Sequence, residues 1–189
     1  MLFVVSGPDR VGKTTLIENM CSAIDEEVFV QHHSAPPRNQ EKILDIYREA
    51  LDTWDMTGCK HAIFDRAWPC TYILEQLRNR NIGFLEEVLD FEIELHCRGT
   101  KVVHIGQFRP WWWSAPKHMD EINTEMLGSV PKWARRAEYI TRMQEHEQYS
   151  EQLIDFYDRI TMFPSIQLNG TVDATTVLED ALQLVNSVS

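Results

Sequence analysis

Residues 1–15 read Met-Leu-Phe-Val-Val-Ser-Gly-Pro-Asp-Arg-Val-Gly-Lys-Thr-Thr. The apolar run Leu2-Phe3-Val4-Val5 reads as a buried strand, and Gly7 to Thr14 behind it has the spacing G-x-x-x-x-G-K-T. Leu16, Ile17, Met20 and Ile24 then recur at helical spacing. A strand, a glycine-bearing loop and a helix in that order make a concave anion site of backbone N–H groups at a helix N-terminus. Gly7 and Gly12 let the backbone wrap, Lys13 reaches β- and γ-phosphates, and the Thr14 hydroxyl holds Mg²⁺. The stretch predicts a nucleoside triphosphate site.

The 189 residues suit one α/β domain, 1–189, large enough to bury about 70% of its unfolded surface. No stretch approaches the ~20 apolar residues of a membrane span. The first residues read as a core strand and not as a signal segment, so a cytoplasmic location is expected, without a membrane partner. Cys21, Cys59, Cys70 and Cys97 show no C-x-x-C spacing and read as buried free thiols of a reducing compartment. The formal charge of −11 counts against gripping a long nucleic-acid backbone, which needs a basic face. Lys117, Lys132, Arg135, Arg136 and Arg142 gather in one region, and such a cluster suits the few phosphates of a small nucleotide.

Further along, strands alternate with helices. Residues 27–33 read as a second strand closed by Ser34-Ala35-Pro36-Pro37, and 40–56 show helical spacing. His61-Ala62-Ile63-Phe64 is a short buried strand delivering Asp65-Arg66 at its carboxyl end. Helices are expected at 69–80 and 83–97, a strand at 101–105, a long helix at 136–160 and a strand at 165–168. A last helix follows the N-cap Asp173. Residues 107–134, with Trp111-Trp112-Trp113, Pro110, Pro116 and Pro131, break any period. They read as an irregular Trp-rich insertion which, with a lid, occupies about 107–142. The pattern predicts a parallel five-stranded sheet with helices on both faces and ligands at the strands' carboxyl ends.

Three places should therefore converge on the phosphate loop. Asp65 can orient Mg²⁺ or its waters, or take an acceptor hydroxyl's proton, while Arg66 can clamp a phosphate. A buried structural ion pair is the plainer alternative for the two. The exit of the second strand, from His32 to Pro37, is expected to shape the acceptor pocket. Adjacent strand residues point to opposite faces, so His32 and His33 are poor joint metal ligands. The third place is Arg135-Arg136, before the long helix, where a lid can close.

The loop with its Asp9 and Arg10, the Asp65-Arg66 pair and the arginines before the long helix resemble the thymidylate kinase branch of P-loop nucleoside monophosphate kinases. Within it they are most similar to small bacteriophage kinases. Those often carry a second-strand exit like His33-Ser34-Ala35-Pro36 and a lid like Arg135-Arg136-Ala137-Glu138-Tyr139. The resemblance implies a P-loop kinase fold, ATP as phosphoryl donor, Mg²⁺, a possible homodimer through the helices after Arg66 and, for a viral chain, the host cytoplasm. It places Gly7, Arg10, Val11, Gly12, Lys13, Thr14 and Thr15 on ATP, and Thr14 and Asp65 at the metal. Arg10, Lys13, Asp65, Arg135 and Arg136 become catalytic, with Arg142 a further lid candidate. Asp9 would take the acceptor's 3′-hydroxyl, Arg66 would hold its phosphate, and Pro36, Trp68 and Tyr72 would line its pocket.

This chain departs from the pattern at Cys70, where a serine is expected. Trp68 and Tyr72 read equally as a wall for a base or as core. Trp111–Trp113 fit buried packing or an oligomer face better than a ligand wall. The leading expectation is transfer of the γ-phosphoryl of ATP to a deoxynucleoside monophosphate, dTMP or a related pyrimidine. An alternative acceptor is a nucleoside or hydroxymethylated pyrimidine, free or in phage DNA. A reading of another class is a non-catalytic nucleotide-binding regulator, though no N-K-x-D-like guanine motif is visible. Arg10→Ala is expected to cut turnover by about 10³-fold or more while ATP affinity stays nearly intact. Steady-state kinetics beside ATP titration check this, and equal loss of both would make Arg10 structural.

Overall fold

β1 (Leu2–Ser6) lies at the centre of the sheet in a computed structural model, which describes residues 1–8, 11–33, 43–78, 84–108, 135–169 and 173–187. All five of its residues are buried, as its unbroken apolar run demands of a strand covered on both faces. Around it stand β2 (Val28–His32), β3 (His61–Asp65), β4 (Val102–Phe108) and β5 (Ser165–Asn169), in the order β2-β3-β1-β4-β5. Every pairing is parallel. The chain crosses from one side of β1 to the other between β3 and β4. That crossing is a topological switch point, and it opens a crevice at the carboxyl end of β1.

The helices are α1 (Lys13–Ala23), α2 (Asp45–Thr57), α3 (Trp68–Leu77), α4 (Phe84–Cys97), α5 (Arg135–Arg159) and α6 (Ala174–Ser187). On one face Phe3, Val5, Ile63 and Ile105 pack against Leu16, Ile17 and Met20 of α1 and Val177, Ala181 and Val185 of α6. On the other, Val4, Phe64 and Val102 meet α2 to α5 through Tyr47, Leu51, Trp68, Phe91, Leu153 and Phe156. Strand alternation sorts these residues, because neighbours along a strand face opposite ways. Asp173 caps α6, its Oδ2 accepting the Thr176 N–H at 3.3 Å.

The element boundaries follow the sequence pattern with one correction of substance. β4 does not stop at 105 but runs to Phe108, pairing Gln107 with Leu168 and Phe108 with Asn169. The irregular insertion therefore cannot begin at 107, and its far end is helical from Arg135. The polar residue Gln107 hid the strand because the ladder uses its backbone, whatever the side chain. Trp111–Trp113 and most of the expected lid lie outside the described residues. The thiols also depart from expectation: Cys70 is buried, Cys21 and Cys59 are partly buried, and Cys97 is exposed. No described helix is long and apolar enough to cross a membrane.

One buried polar network ties the larger face together. Glu92 on α4 is fully buried and accepts the Trp68 indole N–H (2.9 Å), the Met162 amide (2.9 Å) and the Thr161 hydroxyl (2.8 Å). His104 of β4 lies 3.5 Å from the carboxylate. Burial pushes the Glu92 pKa up, but the His104 ring and the donors outweigh burial and hold it below the usual value. Glu92→Leu should cost about 3–5 kcal/mol of stability, because it strands several buried donors at once. Urea unfolding reads this; a loss below about 1 kcal/mol would mean that the donors find other partners.

Candidate active site

Gly7 leaves β1 at φ 150°, and a Cβ there would collide with the Gln107 carbonyl oxygen of β4. Only glycine lets the loop pass so close to the neighbouring strand. Gly12, at φ 95°, is the N-cap of α1; it has no side chain to cap the helix, and no acidic residue stands in the first turn. No side chain caps the first turn, which lies at the positive end of the helix, where an anion is favoured. Lys13 is buried and folds over the loop, its Nζ donating to the carbonyls of Gly7 (2.9 Å) and Pro8 (2.6 Å). Val11 is buried beneath the loop, while Thr14 and Thr15 are exposed.

Asp65 ends β3 directly beside Val5 of β1. Strand alternation puts it on the α1 face, two residues after Ile63. Its Oδ2 lies 3.0 Å from His32 Nδ1 across the β2–β3 ladder. Its Oδ1 is buried with no hydrogen-bond partner among the described residues. A buried carboxylate oxygen left open on the face that carries Thr14 suits a divalent cation or its water, so the pair fits the Mg²⁺ that the loop implies.

Arg66 follows at φ 61°, the one non-glycine residue with positive φ among the described residues. Its amide is tied to the Val5 carbonyl at 3.0 Å and its side chain is exposed. A left-handed arginine costs on the order of 1–3 kcal/mol, and such strain gathers at functional sites. The turn sets Arg66 at the carboxyl end of β3, beside the loop that leaves β1, and its charge also acts on the partly buried Tyr149 of α5.

His33, the residue after β2, anchors that edge. Its amide donates to the Asp65 carbonyl at 3.0 Å, and its ring packs edge-on against Tyr47 (4.7 Å) and Phe64 (5.2 Å). His32 and His33 do face opposite ways: one reaches Asp65, the other enters the core.

Trp68 needs correction as an acceptor contact. It is fully buried between Phe91 and His104, with its N–H spent on Glu92, so no part of it faces the cleft. The sequence could not separate wall from core, because an aromatic early in a helix serves either. Tyr72 is half-buried between α3 and α5, 5.5 Å from Phe156; burial, with the Asp155 charge, raises its pKa. Asp9, Arg10 and Pro36 lie outside the described residues. Arg135 and Arg136 open α5, and nothing further is described of them or of Arg142. The residue overlooked by the sequence reading is His32 as the partner of Asp65.

Neither a protein-family model nor a curated protein matches the sequence. Among solved structures, one described as a polyphosphate kinase 2 from Pseudomonas aeruginosa superposes with a TM-score of 0.64 over 98% of this chain, at 16% identity. The fold is that of the P-loop kinases. This chain spans 41% of the length of that structure. Two structures of deoxyadenosine kinase from M. mycoides, with bound dATP and dCTP, align over 97% and 99% of this chain and all of theirs. Their identities are 15% and their TM-scores 0.46 and 0.49.

Burial lowers the His33 pKa from 6.5 to about 4, with the Asp65 charge opposing and His32 adding to the fall. The unfolded chain therefore takes up this proton first, so stability falls as pH drops from 6.5 toward 4. Glu92 loses its contribution only below its usual 4.5, which leaves a window between the two. Urea midpoints should decline from pH 6.5 to 5, and His33→Phe should reduce that slope, leaving the part due to His61, whose pKa burial also lowers. An unchanged slope would mean that the ring is charged or solvated in the fold.

Proposed function

We propose that this chain is an ATP-dependent phosphotransferase. It moves the γ-phosphoryl group of ATP, with Mg²⁺, to a deoxynucleoside monophosphate, dTMP or a related pyrimidine nucleotide. The observation that carries the reading is the pairing of two anion-receiving features on adjacent strand ends. The Lys13 loop leaves β1, and the strained Arg66 leaves β3 one strand spacing away, about 4.8 Å. One feature suits the donor's phosphates and the other the acceptor's. Transfer between two bound phosphates needs little covalent help, so placed cations and alignment supply most of the acceleration.

In this reading Lys13 releases the loop carbonyls and turns to the β- and γ-phosphates. The first-turn amides of α1 hold the same group, and Thr14 and Asp65 would hold the metal, which would supply positive charge beside the phosphates. Arg10 and the lid residues Arg135 and Arg136 bring further cations, while Asp9 and Pro36 bound the acceptor. One observation favours a hydroxyl acceptor instead: the open Oδ1 of Asp65 is also suited to take a proton from a nucleoside or a hydroxymethylated pyrimidine.

Labelled ATP and Mg²⁺ offered with deoxynucleoside monophosphates, nucleosides, and plain or modified DNA separate these readings. Label should move to a pyrimidine monophosphate. Label in nucleoside or DNA alone would replace the leading reading with the hydroxyl acceptor, and hydrolysis without any acceptor would favour a nucleotide switch. Lys13→Ala should abolish transfer. Arg66→Ala should lower kcat/KM for the acceptor by about a hundredfold or more while ATP binding holds.

A further inference from the structure

We infer that His32 is a positioning residue that sets the orientation of the Asp65 carboxylate toward the nucleotide-bound metal, an inference that rests on the reading above. His32 and Asp65 are register partners at the last rungs of β2 and β3, with Nδ1 and Oδ2 3.0 Å apart. An ionised carboxylate only accepts hydrogen bonds, so Nδ1 carries the proton and the imidazole donates it. The two oxygens of Asp65 are thereby made unequal. Oδ2 is engaged at the β2 side, and Oδ1 is buried with no partner among the described residues.

The bond is half sheltered. The His32 side chain is 59% exposed while that of Asp65 is 12% exposed, so the pair is worth more to the fold than a surface ion pair and its loss leaves a buried carboxylate oxygen without its donor. Its further effect is on direction. A carboxylate free to turn about its last torsion presents either oxygen, whereas one pinned at Oδ2 presents Oδ1. Outer partners that hold a metal-binding carboxylate or imidazole in this way are typically worth about 10–100-fold in metal affinity or activity.

The backbone at His32 is well placed for the task. Before it runs the β2–β3 ladder, and after it the His33 amide bonds the Asp65 carbonyl at 3.0 Å while the His33 ring is locked between Tyr47 and Phe64. The imidazole is therefore presented from a rigid edge, although its own ring is mostly in solvent.

The test compares His32→Leu, which removes the donor, with His32→Asn, whose side-chain amide N–H can take the place of Nδ1–H. Calorimetry of a non-hydrolysable ATP analogue, with Mg²⁺ and with EDTA, gives the factor by which the metal strengthens binding. In the wild-type chain Mg²⁺ should strengthen binding. His32→Leu should shrink that factor about tenfold and leave metal-free affinity unchanged, and His32→Asn should restore most of the loss. An unaltered factor in His32→Leu, an equal loss without metal, or failure of His32→Asn to recover would overturn the inference alone. Absence of analogue binding by the wild-type chain would overturn the nucleotide-site reading and this inference with it.

Discussion

The parallel register of β1 against β3 and β4 is the constraint on which the site depends. It sets Val5 beside Asp65 and Ser6 beside Gly106, so the chain leaves the sheet at β1 with neighbours already fixed on both sides. Slipping β3 by one residue would turn Asp65 to the other face, away from α1, and carry Ala62 and Phe64 out of their core. The same register holds Arg66, whose N–H donates a hydrogen bond to the Val5 carbonyl, and keeps Gln107 against Gly7. Sheet pairing thus does two things at once: it closes the core, and it places one acid, one strained cation and one wrapped loop at a common edge.

The two faces of the sheet carry different loads. The α1 and α6 face is apolar and lies beneath the glycine-bearing loop that follows β1, and the helix that this loop opens is braced by Leu16, Ile17 and Met20. The opposite face is broader and richer in aromatic rings, with the fully buried Glu92 at its centre. A buried carboxylate is costly unless its neighbours satisfy it. Here the donors come from α3 and from the connection after α5, so the network ties the far end of α5 to the core. That is the helix whose first residues, Arg135 and Arg136, belong to the expected lid.

Legibility varied with the locality of the signal. Strand–loop–helix at the start, the apolar stripe of α6 and its Asp173 cap are local features, and each reads from a few neighbouring residues. β4 was read three residues short because its last rungs are made by backbone pairing with β5, invisible in Gly106, Gln107 and Phe108 taken alone. Trp68 remained open between wall and core for a related reason. Its environment is supplied by Phe91, His104 and Glu92, each distant in sequence. The adjacency of His32 and His33 was visible and their opposite facing followed from strand geometry, but the role of each depended on what lay across the ladder.

What the sequence by itself determined is the strand, glycine-bearing loop and helix at the start and the order of elements, because glycine spacing and apolar periodicity are properties of the chain's own backbone. It also named Asp65 and Arg66 as the pair at the end of β3. What only the tertiary structure decided is how such residues divide the work. Oδ2 of Asp65 goes to His32 and Oδ1 stays open, Arg66 adopts the left-handed turn, and Trp68 goes to the core. Each of those outcomes depends on contacts between residues brought together by strand register and helix packing, and no local pattern encodes them.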